Sequence, residues 1–128
     1  MNLAEILIFL YFFKIPINSW ECLEEKWDAQ YINWVITICS DNIDVSLLTH
    51  ETGHAYKDKV MNEKQTDLWN KISWSCTKRD CFVSEYAMIN SEEDFAETFR
   101  WVSLWWWASN KFVKAKMKFV KLLIQKWY

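Results

Sequence analysis

The chain has 128 residues, of which 52% are hydrophobic and 25% are charged. This length and composition correspond to one domain with ample apolar material for a core, which excludes an intrinsically disordered protein. The formal net charge of -2 gives no general reason to expect a nucleic-acid partner or an anionic membrane surface. We therefore predict a single domain over residues 1–128.

The first elements come from an apolar leader, residues 1–18, which contains the run ILIFLYFF over Ile6–Phe13. As a helix this run is too short to span a bilayer, which takes about 20 residues. A secretory signal normally opens with positive charge, whereas here Glu5 precedes the run and Lys14 follows it. We predict a buried helix that leads into a strand near Lys14–Asn18, with a signal peptide or membrane anchor as the alternative.

A strand and a long helix follow. The segment Tyr31–Cys39, YINWVITIC, is rich in β-branched and aromatic residues and predicts a strand. Its part from Trp34 onward is a candidate edge strand, along which an extended peptide could pair. After a break at Ser40–Asp44, Asp44 is a good N-cap for a helix over Val45–Val60.

Three further helices are predicted in the second half of the chain. A short one lies around Glu63–Ile72, a second begins with Ser91 as N-cap and runs to about Trp106, and the last spans about Asn110–Trp127. In the last helix one stripe is basic: Lys111, Lys114, Lys118 and Lys121. We interpret this stripe as a solvated outer face and do not favour membrane association. The predicted fold class is α+β, mainly helical with a small sheet.

The chain has four cysteines: Cys22, Cys39, Cys76 and Cys81. An even number allows two disulfides, which would suit an exported protein, and the reduced state is the alternative. None of the spacings forms a CxxC metal knuckle, so these residues are left out of any zinc site. A secreted or cell-envelope location is slightly favoured over the cytoplasm.

Tryptophan and glycine occur in unusual numbers, 10 and 1 respectively. Several tryptophans stand where turn chemistry favours glycine. These are Trp20, Trp27, Trp69, Trp74 and Trp105–Trp107. One hypothesis is that UGA codons are read as glycine in the source and were translated here as tryptophan, and the alternative is a genuine Trp-rich core or interface.

The clearest chemical signal is the HExxH sequence at His50–His54. On an α-helix the two imidazoles stand one turn apart on the same face, with Glu51 beside them, so both can reach one metal ion. These are the two histidines of the chain. Catalytic zinc also needs a third protein ligand and an open position for water.

An acidic segment, SEEDFAE over Ser91–Glu97, can supply that ligand. Glu93 and Glu97 are one helical turn apart and lie beside Phe95 and Phe99, so they sit close to buried material. A glutamate next to a core needs a partner, and zinc held by two histidines would be one. Three neighbouring acids compete for the role of third ligand: Glu85, Glu92 and Asp94.

Together, the segments LLTHETGHAY and FVSEYAMINSEEDFAETFRW resemble the lethal-factor-like gluzincin zinc metallopeptidases. This family includes the catalytic domain of anthrax lethal factor and the Pro-Pro endopeptidases. Its pattern is an HExxH helix, then a tyrosine, then a glutamate that opens an ExFAE helix. Here the tyrosine is Tyr86 and the glutamate is Glu93. The resemblance covers roughly residues 35–128.

The resemblance implies a zincin-like domain in which His50, His54 and Glu93 bind one zinc ion. Glu51 would then be the general base, and Tyr86 would donate a hydrogen bond to the oxyanion of the reacting peptide bond. Glu97 would orient His50 or His54 through its ring N–H. The implied partner is a peptide or protein substrate.

The chain also departs from the family. The part before the HExxH helix, which normally builds one wall of the cleft, is short, so a product truncated on its N-terminal side is left open. A catalytically inactive zinc-binding or interaction domain is therefore the alternative function. Glu51 favours the enzyme, because a structural zinc site needs no base. A Trp-rich membrane-associated protein with coincidental motifs is a further alternative.

Overall fold

The structure is a computed structural model that describes residues 1–19, 29–38, 44–104 and 107–127. These residues form a three-stranded sheet, five α-helices and two 3-10 turns. In chain order the elements are α1 Leu3–Phe12, β1 Ile17–Ser19, β2 Ala29–Ile32, β3 Val35–Ile38, α2 Val45–Val60, α3 Glu63–Ser73, the turns Arg79–Cys81 and Tyr86–Met88, α4 Ser91–Leu104 and α5 Lys111–Trp127. The α+β class with a small sheet is confirmed.

Helix boundaries follow from side-chain caps. Asp44 accepts hydrogen bonds from the backbone N–H groups of Ser46 and Leu47, so α2 begins where the sequence predicted. The predicted cap of α4 is wrong by one residue. Asn90, rather than Ser91, accepts the N–H of Glu93 at 2.8 Å. Asn90 is therefore the N-cap, and Ser91 is the first residue of the helix.

The sheet has the strand order β1-β3-β2, with β1 parallel and β2 antiparallel to β3. The single predicted strand Tyr31–Cys39 is wrong, because the chain reverses at Asn33 and Trp34 and forms a hairpin. β3 is therefore the central strand, and the prediction that it is the edge strand is also wrong. Among the described strands, β2 is the edge that follows the cleft described below.

The hairpin turn places Trp34 in a backbone conformation that suits glycine. Asn33 and Trp34 have φ angles of 52° and 64°, and Ile32 pairs with Val35 on either side of them. A two-residue hairpin turn with both φ angles positive prefers the sequence Asn-Gly. A left-handed conformation costs an ordinary L-residue about 1–2 kcal/mol. Trp34 thus stands where the recoding hypothesis would place a glycine.

We expect Trp34→Gly to be more stable than Trp34→Ala by about 1 kcal/mol, because both variants lose the indole and only alanine keeps the Cβ that strains the turn. Urea unfolding of the two variants measures this difference. The wild-type indole also contacts Lys59, whose Nζ lies 3.2 Å from the ring centroid, so alanine is the proper reference. Equal stability of the two variants would show that a Cβ at position 34 does not destabilise this turn.

Two other tryptophans named by the recoding hypothesis do not have the positive φ angle that favours glycine. Trp69 is fully buried, its indole N–H donates to the Ser91 carbonyl at 2.9 Å, and its ring packs on Phe95 and Phe119. Trp74 ends α3 with a negative φ of -96°, which does not require glycine. The hypothesis is therefore weakened at Trp69 and Trp74. Trp20, Trp27, Trp105 and Trp106 lie outside the described residues.

The single glycine of the chain allows α2 and α4 to touch. A Cβ at Gly53 would lie 2.9 Å from Cα of Ala96 and 3.1 Å from Cβ of Phe99. Real Cβ atoms essentially never lie as close to a backbone atom as 2.9 Å, so a larger residue at Gly53 would push the two helices apart. Gly53 lies between His50 and His54, and Ala96 lies between Glu93 and Glu97. The closest approach of the helices therefore coincides with the four candidate site residues.

Helix α1 is buried on one face. Ile6, Phe9 and Leu10 lie in the core, but Ile8 and Tyr11 are 60% and 87% exposed. The prediction of a buried helix is thus right for only one side of α1. The strand predicted near Lys14–Asn18 is present as β1, which begins at Ile17. In the described part of the chain, no helix has the length and apolar content needed to cross a bilayer.

A buried ion pair joins the C-terminal helix to α4. Lys116 Nζ lies 2.9 Å from Asp94 Oδ2 and donates to the Cys81 carbonyl at 2.9 Å. In the predicted basic stripe Lys111, Lys114 and Lys118 are exposed and Lys121 is partly buried. Lys116 points inward. Cys81 is bonded to Cys76, so for this pair the disulfide alternative holds and the reduced one does not. Cys22 and Cys39 lie outside the described residues.

Candidate functional site

The HExxH residues face an open cleft of about 690 Å³. One side of the cleft is α2 and the opposite side is β2 with its turn, while the turn at Tyr86 and the start of α4 close it. The lining residues are Ala29–Trp34, His50, Glu51, His54, Asp58, Tyr86, Glu92 and Glu93. Both predicted histidines and the predicted base therefore meet in one place. β2 supplies a wall even though the segment before α2 is short.

Glu93 completes a three-residue cluster with the histidines. Its Oε2 lies 3.1 Å from His50 Nε2, and its Oε1 lies 3.2 Å from His54 Nε2. The potential ligand atoms of the three residues all lie within 4.8 Å of one another. Ligands of tetrahedral zinc at about 2.0–2.1 Å from the metal are about 3.3 Å apart. The donor set and its spacing therefore fit a zinc ion.

The carboxylates around this cluster favour a positive charge on His50. Burial by itself would lower the pKa of His50, but its contacts with Glu93 and Glu97 outweigh this effect and raise that pKa to about 9. Burial would raise the pKa of Glu93, but the same histidine contacts lower it to about 2. At neutral pH these contacts favour the protonated imidazolium form of His50. A metal ion would have to displace the additional proton, because histidine binds metals in its neutral form.

Glu51 lies beside the cluster and faces the same cleft. Its side chain is nearly buried, with 8% exposure. Burial raises the pKa of the Glu51 carboxyl, and the charge of Glu93 adds to this, while His50 and His54 oppose it. The backbone N–H of Tyr31 nearby also opposes the rise in this pKa. A carboxylate with a raised pKa at the edge of a cleft is suited to accept and return a proton.

Glu97 contacts the ring nitrogen of His50 that does not face Glu93. Its Oε2 lies 2.8 Å from His50 Nδ1, so the other ring nitrogen, Nε2, faces Glu93. Burial alone would raise the pKa of Glu97, but the hydrogen bonds from His50 and Ser84 and the nearby Arg100 charge keep it below its usual range. A carboxylate of this kind fixes the tautomer and the orientation of a metal-binding histidine. The geometry assigns Glu97 to His50 and not to His54.

Two residues that support Glu97 were not predicted from the sequence. Arg100 donates to Glu97 Oε1 at 3.0 Å and to the Ser46 hydroxyl at 2.9 Å. Ser84 donates to the same Oε1 at 2.7 Å and accepts the backbone N–H of Ala87 at 3.2 Å. The spacing of three between Glu97 and Arg100 is a helical pair and could have indicated that contact. Nothing in the sequence around Ser84 could have done so.

If the cluster binds zinc, we expect Ser84→Ala to weaken that binding about tenfold. Ser84 holds Glu97, which orients His50, and loss of such orienting contacts typically costs 10–100-fold in affinity. Competition with a coloured chelator measures the dissociation constant. Ser75→Ala is the matched control, since the Ser75 hydroxyl is exposed and donates to the Ile72 carbonyl. An unchanged constant in Ser84→Ala would show that the chain from Ser84 to His50 does not position the ligand.

Tyr86 also lies at the cleft. Its ring centroid is 5.7 Å from that of His50, with the rings nearly perpendicular. Burial, together with the negative charges of Glu93 and Glu51, raises the pKa of the phenol to about 12. The phenol therefore keeps its proton over the physiological pH range and can donate it in a hydrogen bond. The role that the resemblance implies for this phenol stays a prediction.

The competing acids are directed elsewhere. Glu92 pairs with Lys57, whose Nζ lies 2.7 Å from its Oε1. Asp94 is buried on the other side of α4, where it binds Lys116 and accepts a hydrogen bond from Ser73. Glu85 is exposed. Among the four acids considered as third ligand, only Glu93 contacts both histidines. The others are Glu85, Glu92 and Asp94.

No family model, curated protein or solved structure matches the chain. The likeness to the lethal-factor-like metallopeptidases therefore rests on the motif residues quoted above and stays a prediction. The geometry of His50, His54, Glu93, Glu51, Glu97 and Tyr86 is an observation that does not depend on that likeness.

Proposed function

We propose that this protein is a zinc metallopeptidase of the gluzincin type that hydrolyses peptide bonds. The observation that carries the proposal is the convergence of His50 and His54 from α2 on Glu93 from α4, with Glu51 facing the same cleft. His50, His54 and Glu93 would hold the ion. A structural zinc site would use a fourth protein ligand, and among the described residues the cluster has three members.

The chemistry divides between the ion and the chain. Bound zinc lowers the pKa of water from 15.7 toward about 7 and polarises a peptide carbonyl. Glu51 accepts the proton of the attacking water and returns it to the leaving amine, as its raised pKa suits it to do. Its position in the cleft lets one carboxylate serve both transfers. Proton transfer of this kind contributes about 10²–10⁴-fold to the rate.

Two other side chains assist this reaction. The Tyr86 phenol, which keeps its proton, donates a hydrogen bond to the oxygen that becomes negative in the transition state. Glu97 keeps Nδ1 of His50 engaged, so Nε2 of that ring stays directed at Glu93 and the ion. Catalysis and ligand orientation are thus carried by separate residues.

The substrate is an extended peptide that lies along β2. This strand forms the wall opposite α2, and the Tyr31 hydroxyl donates to Asp58 at 2.9 Å, which ties the strand to the helix. An edge strand can pair with an extended chain through backbone hydrogen bonds. Such pairing places a peptide bond beside Glu51 without requiring a particular side chain.

The proposal is tested by zinc content and peptide hydrolysis. We expect about one zinc ion per chain and hydrolysis of members of a peptide library. Removal of the metal with a chelator should abolish hydrolysis, and addition of zinc should restore it. The restoration step controls for unfolding during chelation. Zinc that is retained without hydrolysis of any peptide would leave the zinc-binding interaction domain, and absence of zinc would reject both functions.

A further inference from the structure

Lys116 lies on the inner face of α5 and is 1% exposed. Its Nζ is 2.9 Å from Oδ2 of Asp94 on α4, and it donates to the Cys81 carbonyl at 2.9 Å. The same Nζ lies 3.7 Å from the centroid of the Phe82 ring, which is within the range of a cation–π contact. One ammonium group therefore joins α5 to α4 and to the segment that begins at Cys81.

Packing alone does not require a charge at this position. Lys116 stands one helical turn from Val113 and from Val120, which are both buried, so an apolar residue would suit the same face. An apolar pair of similar volume is often as stable as a buried ion pair or more so, because the two charges lose their hydration on burial. What the lysine adds is direction, since its ammonium group is bonded to two particular oxygen atoms.

A continuous path of contacts leads from Phe82 to the candidate site. Phe82 packs with Ala87 in a small buried cluster next to the main core. The backbone N–H of Ala87 donates to the Ser84 hydroxyl at 3.2 Å, and that hydroxyl donates to Glu97 at 2.7 Å. Tyr86 is the residue before Ala87. Displacement of the Phe82 ring would therefore shift both Ser84 and Tyr86.

We propose that Lys116 is a positioning residue of the candidate site. It holds the segment Cys81–Met88 against the first turn of α4, where Asp94 directly follows Glu93. Lys116 is not among the residues that line the cleft, so it acts through this segment and not by contact with a substrate. The effect on hydrolysis rests on the proposed function, whereas the effect on the segment does not.

Removal of both charges, in Asp94→Asn with Lys116→Met, tests the proposal. Lys116→Met alone would leave a buried carboxylate unpaired and destabilise the fold, whereas the double replacement leaves no charge unpaired. Hydrogen exchange reports on the segment directly. The Ala87 amide, which is bonded to Ser84, should exchange faster in the double variant than in the wild type.

Zinc affinity and kinetics report on the site. The double variant should bind zinc about tenfold more weakly, as expected when support of a metal ligand is lost. At saturating zinc, kcat should fall about 100-fold, which is the cost of displacing a catalytic group by about 1 Å. KM should stay unchanged, because the peptide is proposed to lie along β2, which the two replacements do not touch.

Two further variants separate this path from a general loss of stability. If Lys116 acts through Ser84, adding Ser84→Ala to the double variant should weaken zinc binding no further than Ser84→Ala alone does. Ile6→Val is the control, since it removes a methyl group from the main core on α1 and leaves the ion pair intact. It should match the wild type in exchange of the segment and in zinc affinity.

Unchanged exchange of the Ala87 amide would overturn the proposal. Faster exchange with unchanged zinc affinity would also overturn it, because the ion pair would then have no effect on the site. Additive losses of affinity with Ser84→Ala would rule out the path through Ser84. A wild-type protein that binds no zinc would instead reject the proposed function, and exchange of the segment would still decide whether Lys116 holds it in place.

Discussion

Under the proposed function, replacement of Glu51 by Gln should lower peptide hydrolysis by a large factor and leave the zinc ion bound. Glutamine has the same shape as glutamate but cannot accept a proton from water, so the loss falls on the proton-transfer step. The expected decrease in kcat is about 10²–10⁴-fold, which is the usual contribution of a positioned general base. Zinc content should stay at one ion per chain, because Glu51 is not among the three residues that could hold the ion.

The experiment compares wild type and Glu51→Gln in zinc content by elemental analysis and in kcat on the same peptide. Asp58→Asn is a control, since Asp58 lines the same cleft from the same helix but binds the Tyr31 hydroxyl. It should retain kcat within about tenfold of the wild type, as it has no part in proton transfer. Unchanged hydrolysis by Glu51→Gln would remove Glu51 from the mechanism.

The second large effect is expected from Glu93→Ala, which should lose the metal itself. The carboxylate lies within 3.2 Å of both histidine Nε2 atoms, so its removal leaves two nitrogen ligands. We expect zinc affinity to fall by more than about 100-fold, since loss of a mere supporting residue already costs 10–100-fold. Hydrolysis should fall in parallel because the ion is absent.

Glu92→Ala is the matched control for Glu93→Ala. The two glutamates are neighbours in the first turn of α4, and Glu92 binds Lys57 instead of the histidines. Zinc affinity of Glu92→Ala should equal that of the wild type. If Glu92→Ala loses zinc while Glu93→Ala keeps it, the assignment of the third ligand is wrong. Equilibrium dialysis at several zinc concentrations measures both.

The helices were predictable because their signals are local. Asp44 and the apolar spacing behind it define α2, and the structure has the predicted boundaries. The hairpin was not predictable from the sequence, because Asn33-Trp34 lacks the Asn-Gly signal for a two-residue turn. A run of β-branched residues without such a signal predicts one strand. The error at Asn90 has a similar origin, since asparagine and serine are comparable N-caps.

In the candidate site, too, the locally encoded features were predictable and the long-range ones were not. His50, His54, Glu93 and Glu97 were predictable because helical periodicity fixes which residues share a face. Their meeting in space depends on the contact of Gly53 with Ala96, which no local pattern specifies. Ser84 and the position of β2 belong to loops and long-range pairing. Sequence periodicity carries no information about either.

The three clustered donor atoms belong to two helices that are far apart along the chain. In the unfolded chain only the two histidines would be close enough to bind the same ion, because Glu93 lies 39 residues further along the chain. An ion would therefore bind the folded state more tightly than the unfolded state. Binding that is selective for the folded state adds about 4 kcal/mol to its stability when free zinc is 1,000 times the dissociation constant. Under the proposed function, zinc supply would set how long this small domain resists proteolysis. The same ion would then limit both the activity and the lifetime of the protein.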